Sequence, residues 1–239
     1  MSQTIDLMMK HASVRKFTEE PIPAGEMTQI IDAGRAASSW KAFRPYTIID
    51  VTSAEVKEAL FELVPQPAIK GCSSFLIFVG DLTVAQKACQ MHDGTFQPGG
   101  VETLLITSVD AALAAQNTLL AAESLGYGGV FIGLIRYKSA EIAELLGLPE
   151  YSYPVFGVAI GRPARTFAPK PHLPHEVVVH QDRYTPVEGL EDAIRQHDAD
   201  YAEYFGGRAA DDWSERVVAQ WGVPEDPSST DRLRAAGLL

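Results

Sequence analysis

Cysteine is scarce: Cys72 and Cys89 are the only two in 239 residues. Two thiols give neither a disulfide framework nor the ligand spacing of a metal centre. Cys72 stands just ahead of an apolar run and reads as a buried small hydrophobe rather than a nucleophile. Positive charge is scarce too, with 20 Lys and Arg against 31 Asp and Glu, for a net charge of −11. A chain so acidic is a poor partner for nucleic acid or for an anionic membrane surface, because both need a basic face. No stretch approaches ~18 uninterrupted apolar residues, and no cationic region with an apolar core opens the sequence. The cytosol is therefore the expected compartment, without a membrane. Internal repeats and low-complexity tracts are lacking as well. What is present, 46% hydrophobic and 21% charged residues, suits a soluble globular protein long enough to bury a sizeable core. An anionic ligand would have to be met by a local cluster of cations.

Hydrophobic periodicity predicts helices over residues 5–10 and 24–37, the second with Met27, Ile30, Ile31 and Ala33 on one side. Residues 46–51 read as a strand, and Ser53 as the N-cap of a following helix. The continuous apolar run at 75–79 predicts a strand buried on both faces. After a loop at 97–100, residues 101–125 carry the longest helical pattern. Its apolar positions cover most of the circumference, so it is a buried central helix or an interface helix. Its many alanines permit close approach, and packing within one chain or against a second copy both stand. Further strands are predicted at 130–135, 153–160 and 177–179, with a helix at 139–146 capped by Ser139. From 187 onward the pattern is helical, ending in a polar tail around 226–231. The mixture predicts an α+β fold with a central sheet wrapped by helices.

The segment His11-Ala12-Ser13-Val14-Arg15-Lys16-Phe17-Thr18 carries the clearest chemistry. In an extended backbone His11, Ser13 and Arg15 share one face, in a row about 13 Å long at ~3.3 Å per residue. An imidazole, a hydroxyl and a fixed cation in that order suit an elongated anionic ligand. On these residues alone, a solvated connection is the simpler reading. Lys170 and His172 stand two apart in a proline-held segment, so both can face one way. Alone, they too read as solvated loop residues.

R-K-F followed about twenty residues later by A-A-S-S resembles the nitroreductase family of FMN-dependent oxidoreductases. Within it, the chain is most similar to the oxygen-insensitive NADPH nitroreductase and flavin reductase P branch. The matching blocks are His11 to Thr18, Gly34 to Ser39, Ala115-Gln116-Asn117 through Gly133, and Pro169-Lys170-Pro171-His172-Leu173-Pro174. They come in the family's order; the most specific reads A-E-S-L-G-Y-G-G-V-F-I-G.

The resemblance implies a nitroreductase-like α+β fold, with a central mixed sheet surrounded by helices and a long buried dimer-interface helix. It implies one FMN-binding domain over 1–239 with a C-terminal helical extension from about 186, working as a homodimer. The implied activity is FMN-dependent and uses NADPH or NADH. Hydride passes through flavin N5, by a ping-pong route, to nitroaromatics, quinones or flavins. The cofactor carries the chemistry, so no side chain is expected to be catalytic and no metal is expected.

By the same resemblance, His11, Ser13, Lys170 and His172 belong at the FMN phosphate, which needs a fixed cation and several donors, and Ala12 is a further cofactor-binding residue. Arg15 belongs at the pyrimidine end of the ring, where a permanent positive charge favours the reduced flavin. Gln66 reaches the ring edge, and main-chain groups of Phe131, Ile132, Gly133 and Leu134 lie against the ring. Ser38 and Ser39 would reach it from the partner subunit. Trp40, Lys41, Ala42 and Phe43 fall on the substrate side, and Arg208 near the nicotinamide nucleotide.

The chain departs from the branch at several places. His172 stands for an arginine, Leu134 for a second glycine, and 40–45 for a serine-rich segment. The loop holding Arg208 is shorter and more acidic, and carboxylates near a phosphate are unfavourable, so NADPH and NADH both stay open. Two alternatives also stand: a reductase dedicated to one acceptor such as a quinone, and an FMN-binding sensor or carrier without turnover.

Overall fold

Strand β2 (Ser74–Asp81) organises the molecule, because its apolar run offers no polar face. Alternation along a strand sends successive side chains to opposite sides. Leu76 and Phe78 enter one hydrophobic cluster, with Met27, Ile30, Ala111, Ala114 and Ala115. Phe75, Ile77 and Val79 enter the other, with Leu60, Ile69, Ile135 and Ile142. The sheet is thus the middle of three layers, as the continuous run requires.

The structure is a computed structural model that describes residues 2–207, 212–224 and 228–239. Helices α1 (Gln3–Met9) and α2 (Ala24–Arg35) are followed by a 3-10 turn (Trp40–Ala42), β1 (Tyr46–Val51), α3 (Ala54–Leu63) and α4 (Pro67–Gly71). After β2 come α5 (Thr83–Met91), α6 (Val101–Ser124), β3 (Gly128–Ile132), a second 3-10 turn (Gly133–Lys138), α7 (Ser139–Leu146) and β4 (Ser152–Gly161). The remaining helices are α8 (His175–Val178), α9 (Leu190–Tyr204), α10 (Trp213–Trp221) and α11 (Ser228–Ala235).

These elements fall into two compact units, one comprising Met1–Phe167 and Asp226–Leu239, the other Ala168–Glu225. The first holds the four-stranded sheet, in the order β1-β2-β4-β3. A mixed sheet was expected, but every pairing among the described residues is antiparallel. The reason is β4, which lies between β2 and β3 and runs against both. Gly157 keeps the middle thin: a Cβ there would stand 2.1 Å from the Phe75 ring. On one face α2 and α6 cross closely, for the same reason at Gly34, where a Cβ would stand 2.0 Å from Thr118 Oγ1.

Several local expectations need correcting. The third strand begins at Gly128 and stops at Ile132, because Gly133 opens a 3-10 turn whose Arg136 folds back to donate to the Val155 carbonyl at 3.0 Å. Ser139 does not cap α7; it is that helix's buried first residue, and Lys138 takes the cap position without a side-chain bond. Residues 177–179 are not a strand: Pro174 starts a helical turn there, closed by Val179 N–H donating to the His175 carbonyl at 2.8 Å. The polar tail leads into helix α11, anchored because Ala236 and Leu238 bury themselves in the α2 and α6 cluster. Ser53 caps α3 as expected, its hydroxyl accepting from Val56 N–H.

Helix α6 is long and apolar enough to cross a membrane by composition alone. It packs within the first unit instead, burying Asp110, Ala111, Ala114, Ala115, Thr118, Leu119 and Ala122. Its other side leaves Leu105, Val109 and Leu113 exposed on this chain.

The second unit packs around α9. His197 and Tyr201 are buried, and Trp213 meets the His197 ring edge-on at 4.9 Å. Asp198 ties α10 to α9 by accepting from Ser214 N–H at 2.9 Å and its hydroxyl at 2.7 Å.

Candidate functional site

Residues 11–18 leave α1 and run extended beside the sheet. Val14 N–H donates to the Gly129 carbonyl at 2.9 Å, Thr18 N–H to Arg162 at 2.9 Å, and Ala164 N–H to Lys16 at 3.0 Å. Val14 is the inward residue of this run and is buried. It sits so close to β3 that a Cβ on Gly128 would stand 2.6 Å from its methyl. Alternation then turns Ser13 and Arg15 to the other side, as the sequence pattern requires.

Two clefts flank this segment. One, of about 340 Å³, is lined by Arg15, Lys16, Gln66, Pro67, Ala68, and residues 130–134. It brings together Arg15, Gln66, Phe131, Ile132, Gly133 and Leu134 from three separate stretches of chain. Gln66 arrives there because α4 is short and held from behind. The buried Lys57 donates its ammonium to the carbonyls of Cys72 and Ser73, both at 2.9 Å. Cys72 is inert packing: burial pushes its thiol up to about 11.

The other cleft, of about 500 Å³, holds His11 and Ala12 with Lys10, Arg162 and Arg165, and with the carboxylate of Glu123. His11 Nδ1 donates to Glu123 Oε1 at 2.6 Å. That bond raises the imidazole above its ordinary value of 6.5 against the opposing effect of burial. Arg162 is committed to Glu20, with Nε 2.6 Å from Oε2, and lies over the Tyr127 ring. Lys10 and Arg165 were missed in the sequence. Lys10 adjoins the basic row and could have been read with it; Arg165 lies far along the chain and reaches the cleft through the strand pairing.

Other expected residues stand apart. Ser13 lines neither cleft, and neither do Ser38 and Ser39, although Ser39 Oγ accepts from Arg44 N–H at 3.1 Å. Trp40 and Phe43 are exposed and meet edge to face at 5.5 Å, with Lys41 Nζ 4.4 Å from the Trp40 ring centre. Lys170 and His172 belong to the second unit and are exposed, and Lys170 Nζ donates to the Tyr201 hydroxyl at 3.3 Å. Arg208 lies outside the described residues.

The first cleft can hold a flat heteroaromatic group. Its volume falls in the range of small-molecule pockets, about 300–1,000 Å³. A fixed cation, a side-chain amide and strand-edge main chain supply donors and acceptors in its wall, and apolar side chains supply the floor. That donor set suits an isoalloxazine.

Comparison with known proteins points the same way. The family model described as "Nitroreductase family" matches residues 8–72 and 74–162, and "Nitroreductase family, C-terminal domain" matches 170–239. The oxygen-insensitive NADPH nitroreductase of Salmonella typhimurium is 38% identical over 91% of this chain and 90% of its own length. The FMN reductase [NAD(P)H] of Bacillus subtilis is 36% identical over 100% and 98%. The solved structure of the Vibrio harveyi NADPH:FMN oxidoreductase complexed with NAD+ superposes with a TM-score of 0.90, at 35% identity and 99% coverage of both chains.

Proposed function

The chain belongs to the nitroreductase family, and from that premise we propose that it is an FMN-dependent NAD(P)H oxidoreductase acting on nitroaromatics, quinones or flavins. The observation that carries this reading is the convergence of Arg15, Gln66 and Phe131–Leu134 on one cleft. These residues would hold FMN, which when bound supplies two-electron chemistry: one hydride taken from NAD(P)H and two electrons delivered to the acceptor.

The chain's own residues bind, orient and tune. Arg15 places a permanent positive charge where the reduced ring gathers negative charge, which favours reduction. Gln66 fixes the ring edge, and Gly133 lets main chain approach the ring face. His11 and Ser13, with Lys170 and His172, serve the phosphate, and Ala12 binds the cofactor beside them. The raised His11 imidazole supports this, since a charged ring donates from both nitrogens and Glu123 occupies only one. Ser38 and Ser39 serve the flavin of a second copy, and Trp40–Phe43 serve the substrates. The functional unit is a cytoplasmic homodimer in which 1–239 works as one FMN-binding domain with a C-terminal helical extension. The exposed apolar side of α6 supports the pairing.

Purified protein tests this reading. It is expected to be yellow, to bleach with NADPH or NADH, and to regain colour when an acceptor is added. Colour without bleaching indicates the carrier instead, and a colourless protein that takes up no FMN overturns the reading. Relative bleaching rates with the two nucleotides settle which reductant it prefers.

A further inference from the structure

Residues 39–44 are strained in a way the flavin cleft is not. Lys41, Ala42 and Arg44 all have positive φ, at 49°, 58° and 50°. Residues with a Cβ adopt that region at a cost, and such strain persists only where its surroundings enforce it. The enforcing contacts are visible. Asp110 on α6, 2% exposed, accepts the Trp40 N–H with both carboxyl oxygens, at 3.0 and 3.1 Å. Ser39 closes the other end by accepting from Arg44 N–H. Among the described residues Asp110 forms no ion pair. A buried carboxyl without a cation is costly to retain, and here both of its oxygens serve this one segment.

What the strain presents is chemically specific. Trp40 and Phe43 stand out edge to face, and Lys41 and Arg44 flank them exposed. Arg44 also borders a cleft of about 360 Å³, with Arg35, Tyr46 and Thr47. Arg35 is paired with Asp32 at 2.6 Å, and Arg44 forms no ion pair among the described residues. Aromatic rings offer stacking faces, and two cations attract an anion. In a chain of net charge −11 this grouping is uncommon.

We propose that residues 39–44, held in their strained form by Asp110, select the electron acceptor, and that they favour planar aromatic acceptors carrying an anionic substituent. Asp110 is a positioning residue, acting through Trp40. The inference rests on the reading given under Proposed function, which sets this segment on the substrate side of a flavin.

The test uses FMN-loaded protein with NADPH and two acceptors, 1,2-naphthoquinone and its 4-sulfonate. The sulfonate is expected to show a KM lower by about threefold to tenfold, the scale of two exposed charge contacts, and added salt should erase the difference. Lys41→Gln with Arg44→Gln should bring the two KM values together. Asp110→Ala should raise both KM values and open the Lys41–Ala42 bond to trypsin. Asp110→Asn, which can still accept the Trp40 N–H, should restore protection. The charge pair lies on the surface, so its result stands even where Asp110→Ala fails to fold. A KM ratio indifferent to Lys41 and Arg44, in a protein whose flavin NADPH bleaches normally, overturns the inference alone. A flavin that is absent or never bleaches overturns the underlying reading first.

Discussion

The cleft beside β3 and the segment at 39–44 are built on opposite plans. The cleft takes its walls from buried scaffold. One wall is strand-edge main chain, its rim is α4 braced by Lys57, and Val130 and Ile132 are rooted in the core. The 39–44 segment exposes nearly everything it has and is fixed by main-chain bonds to Asp110 and Ser39. A group that must be held the same way through every turnover is suited by the first plan. Acceptors that differ from one turnover to the next are suited by the second. The contrast predicts that changes behind the cleft act on stability and flavin chemistry, whereas changes in the segment act on acceptor choice.

The hardest test falls on the scaffold. Gly157 pairs with Ile132 directly behind the cleft, with the Phe75 ring where a side chain would go. Gly157→Ala should cost about 1–3 kcal/mol, as overpacking does, measured by urea unfolding, and should loosen FMN. A variant as stable as the parent would mean that this layer yields, and the contrast would break. Arg15→Ala comes next. It should leave stability nearly unchanged yet lower the flavin midpoint potential by about 30 mV, or about 1.4 kcal/mol for a two-electron couple. A redox titration with no shift would remove Arg15 from the ring. Ala42→Gly should act in the opposite direction. Relief of the left-handed Cβ, at about 1–2 kcal/mol, exceeds the entropic penalty of glycine, at about 0.5–1 kcal/mol. A net gain of about 0.5 kcal/mol is expected, with a higher KM for aromatic acceptors. Stabilisation without any change in KM would show that the strain serves no acceptor.

How far the sequence speaks differs between the two regions for the same reason. β2 was legible because its doubly buried centre, residues 75–79, has no polar residue to confuse its pattern, and Ser53 because a cap acts three residues away. The alternation of His11, Ser13 and Arg15 was legible as a local rule. Its outcome was not, since only the pairing with β3 and β4 decides that His11 and Arg15 border different clefts. The turn at Gly133 was hidden, because an apolar Gly-Leu-Ile run looks like continued strand until Arg136 folds back on it. The mixed sheet failed similarly, because strand direction depends on the long connections and not on the strands themselves. Positive φ at Lys41, Ala42 and Arg44 has no signature in residue type; it is imposed by Asp110, about seventy positions away.

His11 gives the smallest effect and the sharpest sign. It stands between the two plans, partly exposed yet bonded to the mostly buried side chain of Glu123. Its folded value lies above 6.5 because of that bond, so the folded state holds its proton more tightly than the unfolded chain does. The resulting stabilisation is fully present below pH 6.5, the unfolded value, and fades as pH rises through the folded one. With the imidazole 41% exposed, solvent screening keeps it below about 1 kcal/mol. Glu123→Gln should therefore destabilise the protein modestly at pH 6 and much less at pH 8.5, read by thermal melting at both. Equal losses at the two pH values would mean the contact acts by packing rather than by charge. FMN binding supplies the second half of the test. If charged His11 serves the phosphate, affinity for FMN should fall over the same rise in pH while affinity for riboflavin, which has no phosphate, stays level. Parallel behaviour of the two flavins would take His11 away from the phosphate and leave its bond to Glu123 a brace between α6 and the extended segment.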